Sequence, residues 1–141
     1  MMKFIKNNLL QLALLQATIA TVMSLFFSEV LKLPPCILCW YQRICMYPLI
    51  AILAVGIWRK DKNIPYMILP LSLIGTIIAL YHNLLYYKII PESLAPCVQG
   101  VSCTSKLIEI FGFVTIPLMS LCAFLIIDIL IFAYYRLQKS K

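Results

Sequence analysis

The sequence predicts an all-α integral membrane protein, a bundle of four transmembrane helices with both termini cytoplasmic and two cysteine-bearing outer loops. Three observations lead there. Of the 141 residues 63% are hydrophobic and the mean hydropathy is +0.96, where roughly 45–50% apolar residues is usual for a soluble domain. The apolar residues fall in four blocks, each about as long as the ~20 residues a helix needs to cross a bilayer. The charges, only 12% of the chain, lie mostly between and beside those blocks, with Glu29, Arg43 and Asp128 the exceptions inside them. One four-helix membrane domain, residues 1–141, accounts for the whole chain.

The first span is expected over about 9–30. Its Gln11, Thr18, Thr21 and Ser28 recur at helical spacings and mark one face, which is expected to point into the bundle. A cleavable signal peptide is the competing reading of a Lys-led apolar start, but the block is long and no small-x-small cleavage site follows it. An outer loop, Leu31 to Cys39, leads to a second span over about 40–58, and the basic turn from Arg59 to Asn63 returns the chain. Pro65 opens a third span, about 65–87, in which Ser72, Gly75, Thr76, Ala79, His82, Asn83 and Tyr86 form a small-to-polar stripe suited to close helix contact. A longer outer loop carries Cys97 and Cys103 and precedes a fourth span over about 113–135. Pro48, Pro70 and Pro117 are read as lying inside spans 2, 3 and 4, where each removes a helix hydrogen bond. Trp40, Trp58, Tyr86, Tyr87, Tyr134 and Tyr135 cluster at span ends, where amphipathic rings prefer to sit.

A net charge of +7 raises the question of nucleic acid, and the position of the charges answers it. Eight of the twelve Lys and Arg residues flank the ends of the spans on the side of the two termini: Lys3, Lys6, Arg59, Lys60, Lys62, Arg136, Lys139 and Lys141. Lys32, Arg43, Lys88 and Lys106 belong to the other side or its boundary. The positive-inside rule then puts both termini in the cytoplasm of a cell membrane and the cysteine loops on the outer face. No basic stripe with interleaved aromatics exists outside the membrane blocks, so no nucleic-acid partner is expected.

Four of the six cysteines fall in the two outer loops, while Cys45 and Cys122 lie within spans as small apolar packing residues. Cys36-Ile37-Leu38-Cys39 stands where the second helix begins, and there unpaired N–H groups and the positive end of the helix dipole favour a thiolate. A CxxC closes almost no loop entropy, which argues for redox chemistry over a structural staple. Arg43 follows Cys39 by four residues and Cys36 by seven, a fixed charge on the same face that is suited to holding Cys39 as a thiolate and to stabilising an electron-rich acceptor oxygen. Snorkelling to lipid headgroups is the alternative for Arg43. Cys97 and Cys103 form a C-x5-C pair after Pro96, readable either as a loop staple or as an accessible target for a partner's thiolate. Zinc is disfavoured by the C-x5-C spacing, an iron–sulfur cluster by an oxidising outer face, and c-type haem by Trp40 standing where CxxCH needs His; no metal is expected. Two electrons taken from thiols need an acceptor, and a lipid-soluble quinone reaches Arg43 and the CxxC through the bilayer without a nucleotide-binding domain.

With four spans, the CxxC followed by Tyr41-Gln42-Arg43, the Tyr81-His82 pair at the end of span 3 and the stretch from Pro91 to Cys97, the chain resembles the DsbB-type disulfide-bond formation proteins, in their short Gram-positive BdbC-like branch. The resemblance covers nearly the whole chain. It implies a thiol:quinone oxidoreductase that re-oxidises an extracytoplasmic DsbA-like (BdbD-like) thioredoxin-fold oxidase. It further implies that Cys97 is the attacked sulfur and Cys103 its partner, that Cys36 and Cys39 re-oxidise that pair, and that Cys39 meets the quinone. Arg43 would polarise the quinone and His82 would lie near it; menaquinone fits a Gram-positive owner better than ubiquinone. The chain departs from the better-known proteobacterial members in setting Cys97 and Cys103 only six positions apart, which shortens the reach of that loop. Two other functions compete: a quinol-dependent reductase resembling the vitamin K epoxide reductase group, and a four-span scaffold whose disulfides brace an outer surface. Asp128 has no role legible in the sequence.

Overall fold

Among the described residues four helices are long and apolar enough to cross a membrane: α1 (Met2–Leu25), prolonged by a π-helical turn (Phe26–Val30), α2 (Ile37–Arg59), α3 (Ile64–Tyr86) and α4 (Ile116–Lys139). The computed structural model describes residues 1–94, 109–110 and 114–140. At about 1.5 Å per residue, 23 or 24 residues span about 35 Å, enough for the ~30 Å hydrocarbon layer. The helices pack in a ring, α1 on α2, α2 on α3, α3 on α4 and α4 back on α1, the arrangement short connections give to an up-down-up-down bundle. A short antiparallel pair, β1 (Glu109–Ile110) with β2 (Val114–Thr115), leads into α4, an element the all-helical expectation did not contain.

Local chemistry sets the helix ends. α2 stops at Lys60, which adopts a left-handed conformation (φ 53°) while its N–H bonds back to Gly56 and Ile57 carbonyls. Asp61 Oδ1 then accepts from the Asn63 N–H, and Pro65 occupies the first turn of α3. Thr115 caps α4 by accepting from the Leu118 N–H, with Pro117 in the first turn. Pro48 and Pro70 do lie inside α2 and α3. Pro117 lies in the first turn of α4 and not in its interior: its missing N–H falls on one of the donors a helix start leaves unpaired in any case. For the same reason α4 begins at Ile116, three residues after the expected start.

The interior is a seam of small and aliphatic side chains: Leu10, Ala13 and Ala17 of α1, Leu49 and Leu53 of α2, Ile68 and Ala79 of α3, Phe124, Ile127 and Ile131 of α4. Lipid is as apolar as this interior, so close packing and interhelical hydrogen bonds hold the bundle together. The α3 stripe faces inward as expected, with Ser72, Gly75, Ala79, His82 and Asn83 all buried. Gly75 lies against the Phe124 ring so closely that any Cβ there would collide with it. Asn83 Nδ2 donates to the Ala79 and Pro117 carbonyls, both at 2.8 Å, and ties α3 to the start of α4.

The face of α1 differs from the expectation. Gln11 and Thr18 are exposed, and the inward stripe runs through Ala13 and Ala17 to Thr21, Ser24 and Ser28. Thr18 Oγ1 donates to its own Leu14 carbonyl at 2.8 Å, so its hydroxyl needs no partner in the core. Trp58 and Tyr87 are exposed at helix ends as expected, whereas Tyr134 is buried in the core.

Candidate active site

Prolines 34 and 35 deliver the chain in an extended conformation to Cys36, which is the N-cap of α2 (φ −72°, ψ 168°). Its sulfur accepts the Cys39 N–H at 3.4 Å, taking the place a Ser or Asp oxygen usually fills at a helix start. The three-residue spacing brings the Cys39 thiol to 3.0 Å from Cys36 Sγ, and both cysteines are free thiols. The pair is seated on the end of α3 through Leu38, Leu85 and Tyr81. Tyr81 Oη in turn donates to the Leu94 carbonyl at 2.8 Å and fastens the segment after α3.

His82 of α3, buried, brings Nε2 to 3.7 Å from Cys36 Sγ. Its other nitrogen, Nδ1, is 3.2 Å from the side-chain amide of Gln42, so α2 supplies both the sulfur and the group that orients the ring. The hydrogen bond from the Cys39 thiol holds Cys36 well below the usual thiol range, at about 4; burial opposes this, and the hydrogen bond and charge of His82 assist it. Cys36 Sγ, which accepts the Cys39 N–H at the helix start and faces His82 Nε2, is thus the better placed of the two sulfurs to carry the anion of the dithiol state, with Cys39 as its donor.

Arg43 stands one turn deeper, where the expectation put it, with partners of its own. Its Nε donates to Ser24 Oγ at 2.8 Å, and one terminal nitrogen donates to the Ser24 carbonyl at 2.8 Å and to Ser28 Oγ at 3.0 Å. The guanidinium also lies over the Trp40 ring, 5.6 Å from its centroid. It is thus a fixed charge braced between α1 and α2, where a snorkelling side chain would reach away from the bundle.

Cys36, Cys39, Gln42, Arg43 and His82 line one cavity of about 220 Å³. Its remaining wall is largely apolar, including Ile19, Phe27, Met46, Met119 and Phe124. Thr21 Oγ1 is also on this wall, buried and without a hydrogen-bond partner among the described residues. A flat apolar ring with polar oxygens at its edge suits such a cavity: the wall accepts the ring, and Thr21 and Arg43 offer donors to the oxygens. Four of the six expected site residues are therefore gathered here. Cys97 and Cys103 lie outside the described residues. Ser24 and Gln42 were not expected as site residues; the three- and four-residue steps of Thr21, Ser24 and Ser28 carried the signal for the first.

A four-helix membrane bundle with a paired, polarised dithiol at the mouth of an apolar cavity is built for thiol–disulfide chemistry at a membrane. The sequence matches the family described as Disulfide bond formation protein DsbB over residues 6–134. It is 44% identical over 131 residues to the probable disulfide formation protein C 2 of Bacillus cereus, covering 93% of this chain and 94% of that one. It is 42% identical over 127 residues to the disulfide bond formation protein C of Bacillus subtilis (89% and 90%), and 41% identical over 131 residues to the probable disulfide formation protein of Chlamydia caviae (93% and 94%). No solved structure matches the chain. The chain belongs to the DsbB family of disulfide-bond-forming membrane proteins, and its role is that of an oxidoreductase.

Proposed function

We propose that the protein is a thiol:quinone oxidoreductase of the cell membrane: it re-oxidises an extracytoplasmic DsbA-like thioredoxin-fold oxidase and delivers the electrons to a membrane quinone, menaquinone before ubiquinone. The observation that carries this is the convergence of Cys36, Cys39, His82 and Arg43 on one apolar cavity. The basic residues at the end of the bundle holding both termini, Lys3, Lys6, Arg59, Lys60, Lys62, Arg136 and Lys139 among the described residues, support a cytoplasmic position for that end and an outer position for the CxxC.

The chemistry follows from the charges. A thiolate of the reduced partner attacks Cys97 in a Cys97–Cys103 disulfide, and the partner's second thiol then completes its own disulfide, leaving Cys97 and Cys103 reduced. A Cys103 thiolate attacks Cys36 in the Cys36–Cys39 disulfide, and Cys39 is the leaving group. Cys36 suits the linking position because it is the outer cysteine of the pair, at the helix start. Cys39 departs as a thiolate, and while Cys36 is engaged no second anionic sulfur stands beside it, so it is the electron-rich sulfur facing the cavity. Cys97 then displaces Cys36, and the pair restores its disulfide as two electrons leave. Thr21 and Arg43 would hold the quinone oxygens, and the quinone supplies an acceptor of two electrons and two protons, matching the two protons the partner's thiols release.

Purified protein mixed with a reduced thioredoxin-fold oxidase and a soluble menaquinone analogue is expected to consume the quinone in step with partner thiols, and Cys39→Ser is expected to abolish this. No quinone loss, or loss indifferent to Cys39→Ser, overturns the proposal. A reduced partner lacking its second cysteine attacks the Cys97–Cys103 disulfide but cannot resolve the product, and is expected to accumulate as a mixed disulfide with Cys97, which separates the relay from a scaffold with two inert bridges.

A further inference from the structure

The ligating atoms of Cys36, Cys39 and His82 all lie within 4.8 Å of one another. We propose that these three residues form, in the dithiol state only, a binding site for a borderline-soft divalent cation, Zn²⁺ or Cd²⁺. The site uses the sulfurs of the proposed oxidase chemistry but is defined by metal binding alone, so the two readings stand or fall separately.

The distances come close to what the metal requires. Tetrahedral zinc with bonds of about 2.3 Å to sulfur and about 2.0 Å to nitrogen sets sulfur–sulfur pairs about 3.8 Å apart and sulfur–nitrogen pairs about 3.5 Å apart. Cys36 Sγ and His82 Nε2 already stand at 3.7 Å. The two sulfurs, at 3.0 Å, need to open by less than an ångström, a movement within reach of the Cys39 rotamer. CxxC is a spacing that zinc sites use widely, because the helix start aims both sulfurs at one point.

The surroundings also fit. His82 is 2% exposed and Cys36 6%, so the ligands are held in place by packing. Gln42 lies against Nδ1; with its amide turned over, its oxygen accepts an Nδ1–H and leaves the Nε2 lone pair for the metal, the usual orienting role of a group behind a histidine ligand. Two thiolates and one divalent cation sum to zero charge, the combination a site at the membrane boundary tolerates best. The cavity beside the three ligands leaves the fourth position to a water. Binding releases two thiol protons and moves no electrons. Once Cys36 and Cys39 are joined in a disulfide, two of the three ligands are gone.

The test uses the full chain in detergent with Cys97→Ser and Cys103→Ser, so that the second pair cannot chelate. Cadmium titration of the reduced protein, followed by the ultraviolet thiolate-to-metal absorption, is expected to saturate at one ion per chain, with Zn²⁺ displacing it. Oxidised protein is expected to bind none. His82→Ala and His82→Gln are each expected to weaken binding by on the order of 100-fold, Cys36→Ser to abolish it, and Cys45→Ala with Cys122→Ala to leave it unchanged. Parent-like affinity in the two His82 variants, survival of binding in Cys36→Ser, or binding by the oxidised form overturns the proposal.

Discussion

Ser72 of α3 donates its hydroxyl to the Asp128 carboxylate of α4, and Thr76, one turn along the same face, donates to the other carboxylate oxygen at 2.6 Å. A carboxylate within a membrane-spanning helix is costly unless paired, and here two hydroxyls from the neighbouring helix meet it. Both have fallback acceptors, the Leu69 and Ser72 carbonyls at 3.3 and 3.0 Å. Removing the carboxylate therefore strands nothing. Asp128→Leu is expected to cost only about 1–2 kcal/mol, two interhelical hydrogen bonds at membrane values, and Asp128→Asn less than half of that. Reversible unfolding in mixed micelles measures this, and a loss above about 4 kcal/mol would mean that the carboxylate does more than clamp α3 to α4.

Gly75 and Phe124 mark the closest approach of the same two helices. Gly75→Ala is expected to destabilise the bundle by about 1–3 kcal/mol, because the ring must move out of a filled interior. Phe124→Leu in the same chain frees that space, so the double variant is expected to be more stable than the sum of the single losses predicts; strict additivity in a double-mutant cycle would show that the two do not press on each other.

These contacts mark the limit of what the sequence discloses. Span number follows from hydropathy, and Cys36, Cys39 and Arg43 share a face through spacing along one helix, so their convergence is legible without a fold. His82 is legible as the last member of a stripe. Asp128 is not, because its partners Ser72 and Thr76 stand 56 and 52 positions away and only the α3–α4 contact unites them. Gln11 and Thr18 mislead for a related reason: polar residues on an apolar helix suggest an inner face, but a threonine satisfied by its own helix carries no such information.

The dithiol state has a definite pH signature. Cys36 lies at about 4 and an ordinary thiol at 9.0, so the anion's contribution to stability is complete above pH 9 and is lost as the pH falls toward 4. Alkylation of Cys36 is accordingly expected to be nearly flat from pH 6 to 8 and to fall off only near pH 4. Cys39→Ala removes the largest cause, a hydrogen bond to the anion of about 1.5–3 kcal/mol, and is expected to raise the midpoint by about 1–2 units. An unmoved midpoint in that variant would contradict the assignment of Cys39 as donor.

Arg43 is fixed by Ser24 and Ser28, so its position as well as its charge should matter for the proposed quinone reaction. Arg43→Lys keeps the charge and loses the planar fork, and it is expected to raise the quinone KM by on the order of 10-fold, the equivalent of about 1.4 kcal/mol. Ser24→Ala with Ser28→Ala leaves the guanidinium intact but unbraced, and is expected to raise KM in the same direction by a smaller factor. The proposed attack of the partner is on Cys97, which neither change touches, so the KM for the partner oxidase should stay within about twofold in both variants. Steady-state rates with each substrate varied in turn distinguish the cases: a change in the partner's KM alone would place Arg43 outside the quinone site.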